Sequence, residues 1–254
     1  MINPRYIDLL VYRSVASLKT EVSRHYLGVI WWVLEPVLYM GVFYVVFGLG
    51  LRQGGPGFVP FLLCGLVSWK WFDSTIRTSS NAIMQSAGLI GQVYFPKWLI
   101  PASVVLANTF KFGLVLALLV PALILSGERP GFSLFWLPVV LIAQFLLTAS
   151  IALLVAALIP LLPDLTHVVN YGMTMLFFMS GIFFNISDMS EDAQFWLSLN
   201  PMVGVLDAWR AILLRDSAPE LIGLGYAALI GLLVAPLAWA LYKKFDRIYP
   251  KVLG

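Results

Sequence analysis

RHYLGVIWWVLEP, residues 24–36, separates two different kinds of sequence. The first 25 residues lack the uninterrupted apolar core of a signal peptide and have instead the pattern of an amphipathic helix. At about 100° per residue, Ile7, Leu10, Val11, Ser14, Val15, Leu18 and Val22 fall on one side. Asp8, Arg13, Lys19 and Thr20 fall elsewhere, and Glu21 is an exception on the apolar side. Such a helix can lie in the headgroup plane of a bilayer. From about residue 31 runs a stretch long and apolar enough to cross one, interrupted early by Glu35 and Pro36. Trp31 and Trp32 sit where tryptophan is favoured, at the membrane–water interface. Glu35 is near enough to that interface to stay hydrated, or to pair with Arg24 or with a neighbouring subunit. Pro36 has no N–H and suits the first turn of a helix, where none is needed. The stretch therefore reads as a hinge between a helix lying on the membrane and one crossing it.

Composition agrees. Of 254 residues, 60% are hydrophobic and 11% charged, where a soluble domain carries about a quarter charged residues. The formal charge of +3 carries no nucleic-acid reading, because the basic residues flank apolar runs instead of forming one soluble patch. Cys64 is the single cysteine, so an internal disulfide is excluded, and it reads as a small apolar filler. His25 and His167 have no ligand cluster around them and read as interfacial polar residues. There is no internal repeat of the kind that marks many secondary transporters.

Six segments have the length and apolarity of a span: about 31–51, 58–78, 99–125, 134–160, 168–186 and 220–242. The second is the weakest, with Lys70 and Asp73 inside it, and the third carries Lys111. Six crossings put both termini on one side. With that side cytoplasmic, Arg5, Arg13, Lys19, Arg24, Arg77, Lys97, Lys243, Lys244, Arg247 and Lys251 are inside. Arg52, Arg129, Arg210 and Arg215 are outside, and this asymmetry supports cytoplasmic termini.

Two connecting segments are unusual. Residues 79–98, on the cytoplasmic side, are too polar to cross and too apolar for a solvated loop. Ile83, Met84, Leu89, Ile90, Val93, Tyr94, Phe95 and Trp98 predict packing against another protein or against lipid. Residues 187–219, outside, predict two short helices. Ser190 is a plausible cap of the first, with Glu191 and Asp192 in its first turn. Asn200-Pro201 marks a turn before the second, in which Asp207 and Arg210 form an i,i+3 pair. With Phe195, Trp196 and Trp209 these helices either dip into the outer leaflet as a re-entrant hairpin, which their apolar content favours, or lie flat as a cap.

Four stretches, in order along the chain, carry a resemblance. Arg24, Tyr26, Leu27, Gly28, Trp31 or Trp32, and Pro36 resemble the start of the first span in ABC-transporter permeases that export O-antigen and related lipid-linked polysaccharides. VYFPKWLIP (93–101) resembles that family's cytoplasmic connector. LPDL (162–165) keeps an aspartate, Asp164, where the family often has aromatic-Arg-Asp, but Pro163 replaces the arginine. LNPMVGVLDAWRAILL (199–214) resembles the family's Asn-Pro and later arginine before the last span. The resemblance implies an all-α membrane protein, a single permease domain over 1–254 that pairs as a homodimeric pore in the bacterial cytoplasmic membrane. It also implies two separate ATP-binding subunits that bind ATP and Mg, and the chain itself has no G-x-x-x-x-G-K-[ST] phosphate loop. The ATPase-coupling candidates are Gln85, Leu89, Ile90, Val93, Tyr94, Phe95 and Pro96, together with the N-terminal helix over 1–30. The outer-gate candidates are Phe195, Trp196, Asn200, Pro201 and Trp209.

A sliding sugar polymer needs weak, repeated contacts, which flat amphipathic aromatics can offer to its C–H faces. Trp31, Glu35, Tyr39, Phe43 and Phe47 recur every four residues along the first span. Asn170, Thr174 and Phe178 do so along the fifth, with Phe177 and Phe184 nearby. These stripes either line a path or pack against lipid and other helices. Lys70, Lys111, Glu35 and Asp73 are the costly residues, since a charge at the bilayer centre costs about 2.5–3.5 kcal/mol on insertion scales. Lys70, Asp73 and Arg77 either pair locally, or Lys70 or Lys111 faces an aqueous path and meets an anionic pyrophosphate. Two other functions fit the pattern: export of a smaller amphiphile by the same architecture, and a membrane-embedded enzyme on lipid-linked sugars. The second needs an acid/base constellation that Asp73, Asp164 and Glu35 do not complete.

Overall fold

The computed structural model describes residues 4–24, 26–50, 55, 57–92, 95–128 and 130–253. The described residues are helical with no strand: α1 (Pro4–Arg24), α2 (Ile30–Phe43), α3 (Phe58–Gln85), α4 (Ala87–Gln92), α5 (Leu99–Leu125), α6 (Leu137–Leu158), α7 (Leu165–Met179), α8 (Glu191–Ser198), α9 (Pro201–Leu213), α10 (Leu221–Phe245) and α11 (Tyr249–Leu253). A π-helical stretch, Tyr44–Gly50, continues α2, and a 3₁₀ turn, Phe132–Trp136, leads into α6.

Three helices among the described residues are long and apolar enough to cross a membrane: α5, α6 with its preceding turn, and α10. At 27 residues, α5 is about 40 Å long, more than a hydrocarbon core of about 30 Å. The fifth predicted span is different. Its helix, α7, has 15 residues, about 22 Å, and gives way at Ser180 to irregular chain.

The segment with the weakest apolar signal occupies the centre. In α3, 16 of 28 residues are buried, against five of 25 in α10. A helix surrounded by other helices has polar partners available and need not be apolar all round. Gln144 of α6 donates to the Ser68 carbonyl at 2.9 Å and accepts from the Trp209 indole at 2.6 Å. α6 and α10 approach backbone to backbone: a Cβ on Gly231 would lie 2.7 Å from the Leu146 carbonyl carbon. Gly204 and Gly223 bring α9 against α10 in the same way.

The N-terminal elbow falls within the predicted hinge, but Pro36 does not sit where the sequence places it. The chain turns at residues 26–29, where Gly28 takes φ +48°, and α2 begins at Ile30. Pro36 is therefore inside α2 and buried, not in a first turn, and it removes one i→i−4 hydrogen bond there. α1 packs lengthwise on α5. The Ser14 hydroxyl donates to the Ser103 carbonyl at 3.0 Å, and seven residues on Glu21 pairs with Lys111, eight residues further along α5. Ile7, Val11, Tyr12 and Val15 of α1 remain exposed, so the predicted apolar side of α1 is only partly covered.

Candidate functional site

The two predicted stripes meet. α2, α3 and α7 enclose a groove of about 320 Å³ lined by Tyr39, Phe43, Trp69, Lys70, Asp73, Arg77, Thr174, Phe177 and Phe178. Its walls are one connected set of rings. Tyr39 stacks on Phe43, which meets Phe177 at 5.9 Å between centroids, and Phe177 meets Trp69 at 5.8 Å and Phe178 at 5.3 Å. Tyr39 and Phe178 are about half exposed, so the rings are accessible and not only core.

A polar strip crosses this wall. Arg77 donates from Nε to Asp73 Oδ1 at 2.7 Å, one helical turn away. Its other nitrogens reach Asn170 Oδ1 at 3.0 Å and Thr174 Oγ1 at 3.2 Å on α7. The guanidinium therefore ties α3 to α7 while its charge is balanced by a carboxylate in the same groove. Rings that contact apolar sugar faces and a strip of donors and acceptors that exchange with hydroxyls are what a passing glycan requires.

Lys70 does not pair with Asp73. It reaches 2.5 Å from Glu35 Oε1 on α2, a contact across helices, while the side chain of Arg24, another partner the sequence offered for Glu35, lies outside the described residues. Lys111 likewise pairs with Glu21 of α1, whose other oxygen accepts from the Trp32 indole at 3.0 Å. Lys70, Arg77 and Lys111 thus each have a carboxylate against them. Glu21, the apparent exception on the apolar face of α1, and Lys111, the charge inside an apolar span, account for each other. Two charges misplaced in opposite senses were the available signal.

Trp31 is exposed near the start of α2 and does not line the groove. Phe47 lies in the π-helical stretch, and its side chain is outside the described residues. Sequence reasoning missed Trp69 and Phe183, whose rings complete the aromatic wall.

At the connector, Gln85 closes α3 and Leu89 lies on α4, both exposed. Ile90 and Phe95 are buried in a small cluster with Leu99, Ile100 and Tyr249, and Pro96 is half-buried. Val93 and Tyr94 lie outside the described residues. Arg13 of α1 donates to Ser86 Oγ at 2.8 Å, and the Lys97 N–H donates to Asp246 at 2.9 Å. The N-terminal helix, the connector and the C-terminal end of α10 thus form one joined surface. Burial lowers the basicity of Arg13 from its ordinary value and pushes that of Tyr249 up.

The two short helices predicted in 187–219 form as α8 and α9. Asn200 caps α9, accepting from the Met202 N–H at 3.0 Å and donating to Ser180 Oγ at 2.7 Å, with Pro201 first in the helix. Phe195 and Trp196 are exposed on α8. Trp209 is instead fully buried, with its ring edge on Phe112. The Asp207–Arg210 pair is corrected. Asp207 binds Arg215 at 2.7 Å, while Arg210 turns inward to the Gly181 and Ile182 carbonyls at 2.9 and 3.0 Å. Those carbonyls follow the C-terminus of α7, and an inward arginine satisfies them better than water could in a buried site. Among the described residues no group of His, Cys, Asp and Glu is placed to hold a metal ion.

Residues 12–214 match the model of the ABC-2 type transporter family. The chain belongs to that family and is the membrane subunit of a transporter, the ATPase being a separate partner. It is 30% identical over 218 residues to the O-antigen export system permease protein RfbA of Myxococcus xanthus, covering 85% of this chain and 84% of that one. It is 26% identical to the protein of the same name from Klebsiella pneumoniae, over 97% and 95% of the two chains. It is 27% identical to the polysialic acid transport protein KpsM of Escherichia coli, over 93% and 92%.

Proposed function

We propose that this chain is the permease of an ATP-driven exporter that moves a lipid-linked polysaccharide across the bacterial cytoplasmic membrane. Two copies form the pore, and two ATP-binding subunits, which hold the ATP and Mg, drive it. The chain crosses six times with both termini in the cytoplasm; α2 with its π-helical continuation, α3 and α7 add three crossings to those of α5, α6 and α10. The surface formed by α1, Gln85, Leu89 and the segment after it receives the ATPase. α8 and α9 form a re-entrant outer gate, with Phe195 and Trp196 as its movable rings.

One observation carries the substrate class. The predicted stripes of α2 and α7 converge on an aromatic groove crossed by the Asp73–Arg77–Asn170–Thr174 strip. The relatives' names point to polysaccharides as well. A small amphiphile, with a single polar end, would use only part of that strip, so its export is the weaker reading.

The test is export from cells carrying Tyr39→Ala together with Phe178→Ala. Both side chains are about half exposed, so the fold should survive their loss. Surface polysaccharide should fall by about fivefold or more, the loss of two stacking contacts of about 0.5–1.5 kcal/mol each, with the permease at its usual level in the membrane. Undiminished export would refute the groove as the path.

A further inference from the structure

The aromatic wall does not stop at the groove. Phe183, four residues beyond the end of α7, is buried, with its ring 4.3 Å from Phe43, 5.1 Å from Phe177 and 6.0 Å from Phe178 between centroids. It also lines a further cavity of about 670 Å³, a size within the range of ligand cavities, about 300–1,000 Å³. One ring thus backs the groove and lines the cavity. Arg210 fixes its place by holding the carbonyls of Gly181 and Ile182, the two residues before it. The cavity lies among the start of α3, the chain after α5, the chain after α7 and the residue that follows α9. The six-span topology puts all four at the outer end of the bundle.

Three more rings line it, those of Phe58, Phe61 and Phe184, and its polar side chains are Glu128, Asp188 and Asn185. These polar groups are available. Asn185 and Asp188 are exposed and Glu128 is half-buried. Among the described residues neither carboxylate is in an ion pair, and the side-chain hydrogen bonding of the three is limited to a 3.5 Å contact from the Ser187 hydroxyl to Asp188. Their chemistry decides the occupant. Carboxylates only accept hydrogen bonds, the amide accepts and donates, and phenylalanine faces take C–H surface. A metal ion needs more ligands than two carboxylates, and among the described residues no such group is assembled. An apolar molecule would strip water from the carboxylates and replace it with nothing. An acidic one would meet two like charges. An ammonium suits rings and carboxylates, but the wall through Phe183 leads from a groove whose polar strip centres on the Arg77 guanidinium. An uncharged sugar with free hydroxyls satisfies rings, carboxylates and amide together.

We propose that this cavity is a second glycan subsite, at the exit end of the aromatic path, and that it takes uncharged sugar units in preference to acidic ones. The proposal rests on the aromatic groove being a glycan path. Its own content is the selection by charge, which the groove does not supply, because there Arg77 balances Asp73.

The test is oligosaccharide binding to the full chain in nanodiscs, followed by saturation-transfer NMR. The probes are maltoheptaose, which is uncharged, and heptagalacturonate, which carries a carboxylate on every unit. Maltoheptaose should bind at least about tenfold tighter, since the acidic probe meets two like charges. Glu128→Gln together with Asp188→Asn keeps an acceptor at each position and removes the charge, and should bring the two affinities within about twofold of each other. Phe184→Ala, at a half-buried position, should weaken maltoheptaose by about two- to tenfold, the loss of one ring contact. Tyr39→Ala with Phe178→Ala should weaken both probes and leave their ratio unchanged, so a failure of the groove as the path is read separately from a failure here. Equal affinities in the wild type would overturn the proposal, as would a preference that survives the charge-neutral variant, or no binding of either probe. Displacement of maltoheptaose by an equal concentration of choline would mark an ammonium cage and overturn it too.

Discussion

Arg210 is a charge inside the bundle with no carboxylate bonded to it among the described residues. Three features hold it: two carbonyls beyond the C-terminus of α7, the face of Phe61 with its centroid 3.5 Å away, and space left by Gly65, where a Cβ would lie 2.8 Å from the guanidinium. Lysine cannot donate to two carbonyls from one planar fork. Arg210→Lys should therefore cost about 2 kcal/mol, read as a lower thermal midpoint, with no gain from adding lysine charge elsewhere. Sequence spacing suggested Asp207 as its partner because i,i+3 neighbours are all that spacing can see; Gly181 lies nearly thirty residues back and was invisible to it. Asp216 offers a pH test. Its carboxylate accepts from the Gly131 and Ser133 N–H groups at 3.0 and 3.1 Å. The Ser133 side chain first, and then these N–H groups, hold its pKa below the ordinary aspartate value. A depressed folded pKa contributes stability that is present above the unfolded pKa, about 3.9, and is lost as pH falls through the lower folded value. Asp216→Asn should remove that component, so the wild-type and variant midpoints should converge as pH drops below about 4.

At the scale of elements, hydropathy was informative where a helix meets lipid and misleading where it meets other helices. α5, α6 and α10 were legible because their outward faces must be apolar. α3 looked weakest because Lys70, Asp73 and Arg77 count against a span, yet those residues are partnered by α2, by α3 itself and by α7. The four-residue stripes located the groove's α2 and α7 walls. Its α3 wall, Trp69, was not legible, since one tryptophan among several has no periodic signature. Pro36 was misplaced because it resembles a first-turn proline, while the break itself comes earlier, at Gly28. The α6–α10 contact yields a prediction of its own. Gly231→Ala puts a methyl against the Leu146–Leu147 backbone, with its nearest atoms at 2.7 to 2.9 Å. It should force the helices apart at a cost of about 1–3 kcal/mol, seen as a lower midpoint. Gly225→Ala, with open space around its Cβ, should be tolerated.

At the scale of the molecule, the joined surface of α1, the connector and the end of α10 lies at one end of α5, and the α8–α9 pair packs at the other end of the bundle. α2 joins α1 to the aromatic groove. Its first turns meet α1 through Trp32 and Glu21, and its later turns carry Tyr39 and Phe43 into the groove. Movement of α1 by an ATPase would therefore shift the aromatic wall through one helix. The most direct measurement places a photo-crosslinking amino acid at Tyr39, at Phe178 or at Phe135, in cells making the lipid-linked polysaccharide. Phe135 is a control, an aromatic 88% exposed and outside the groove. If the groove is the glycan path, positions 39 and 178 yield permease–polysaccharide adducts during export and position 135 does not. Adducts at position 135 alone, or equally at all three, would contradict it.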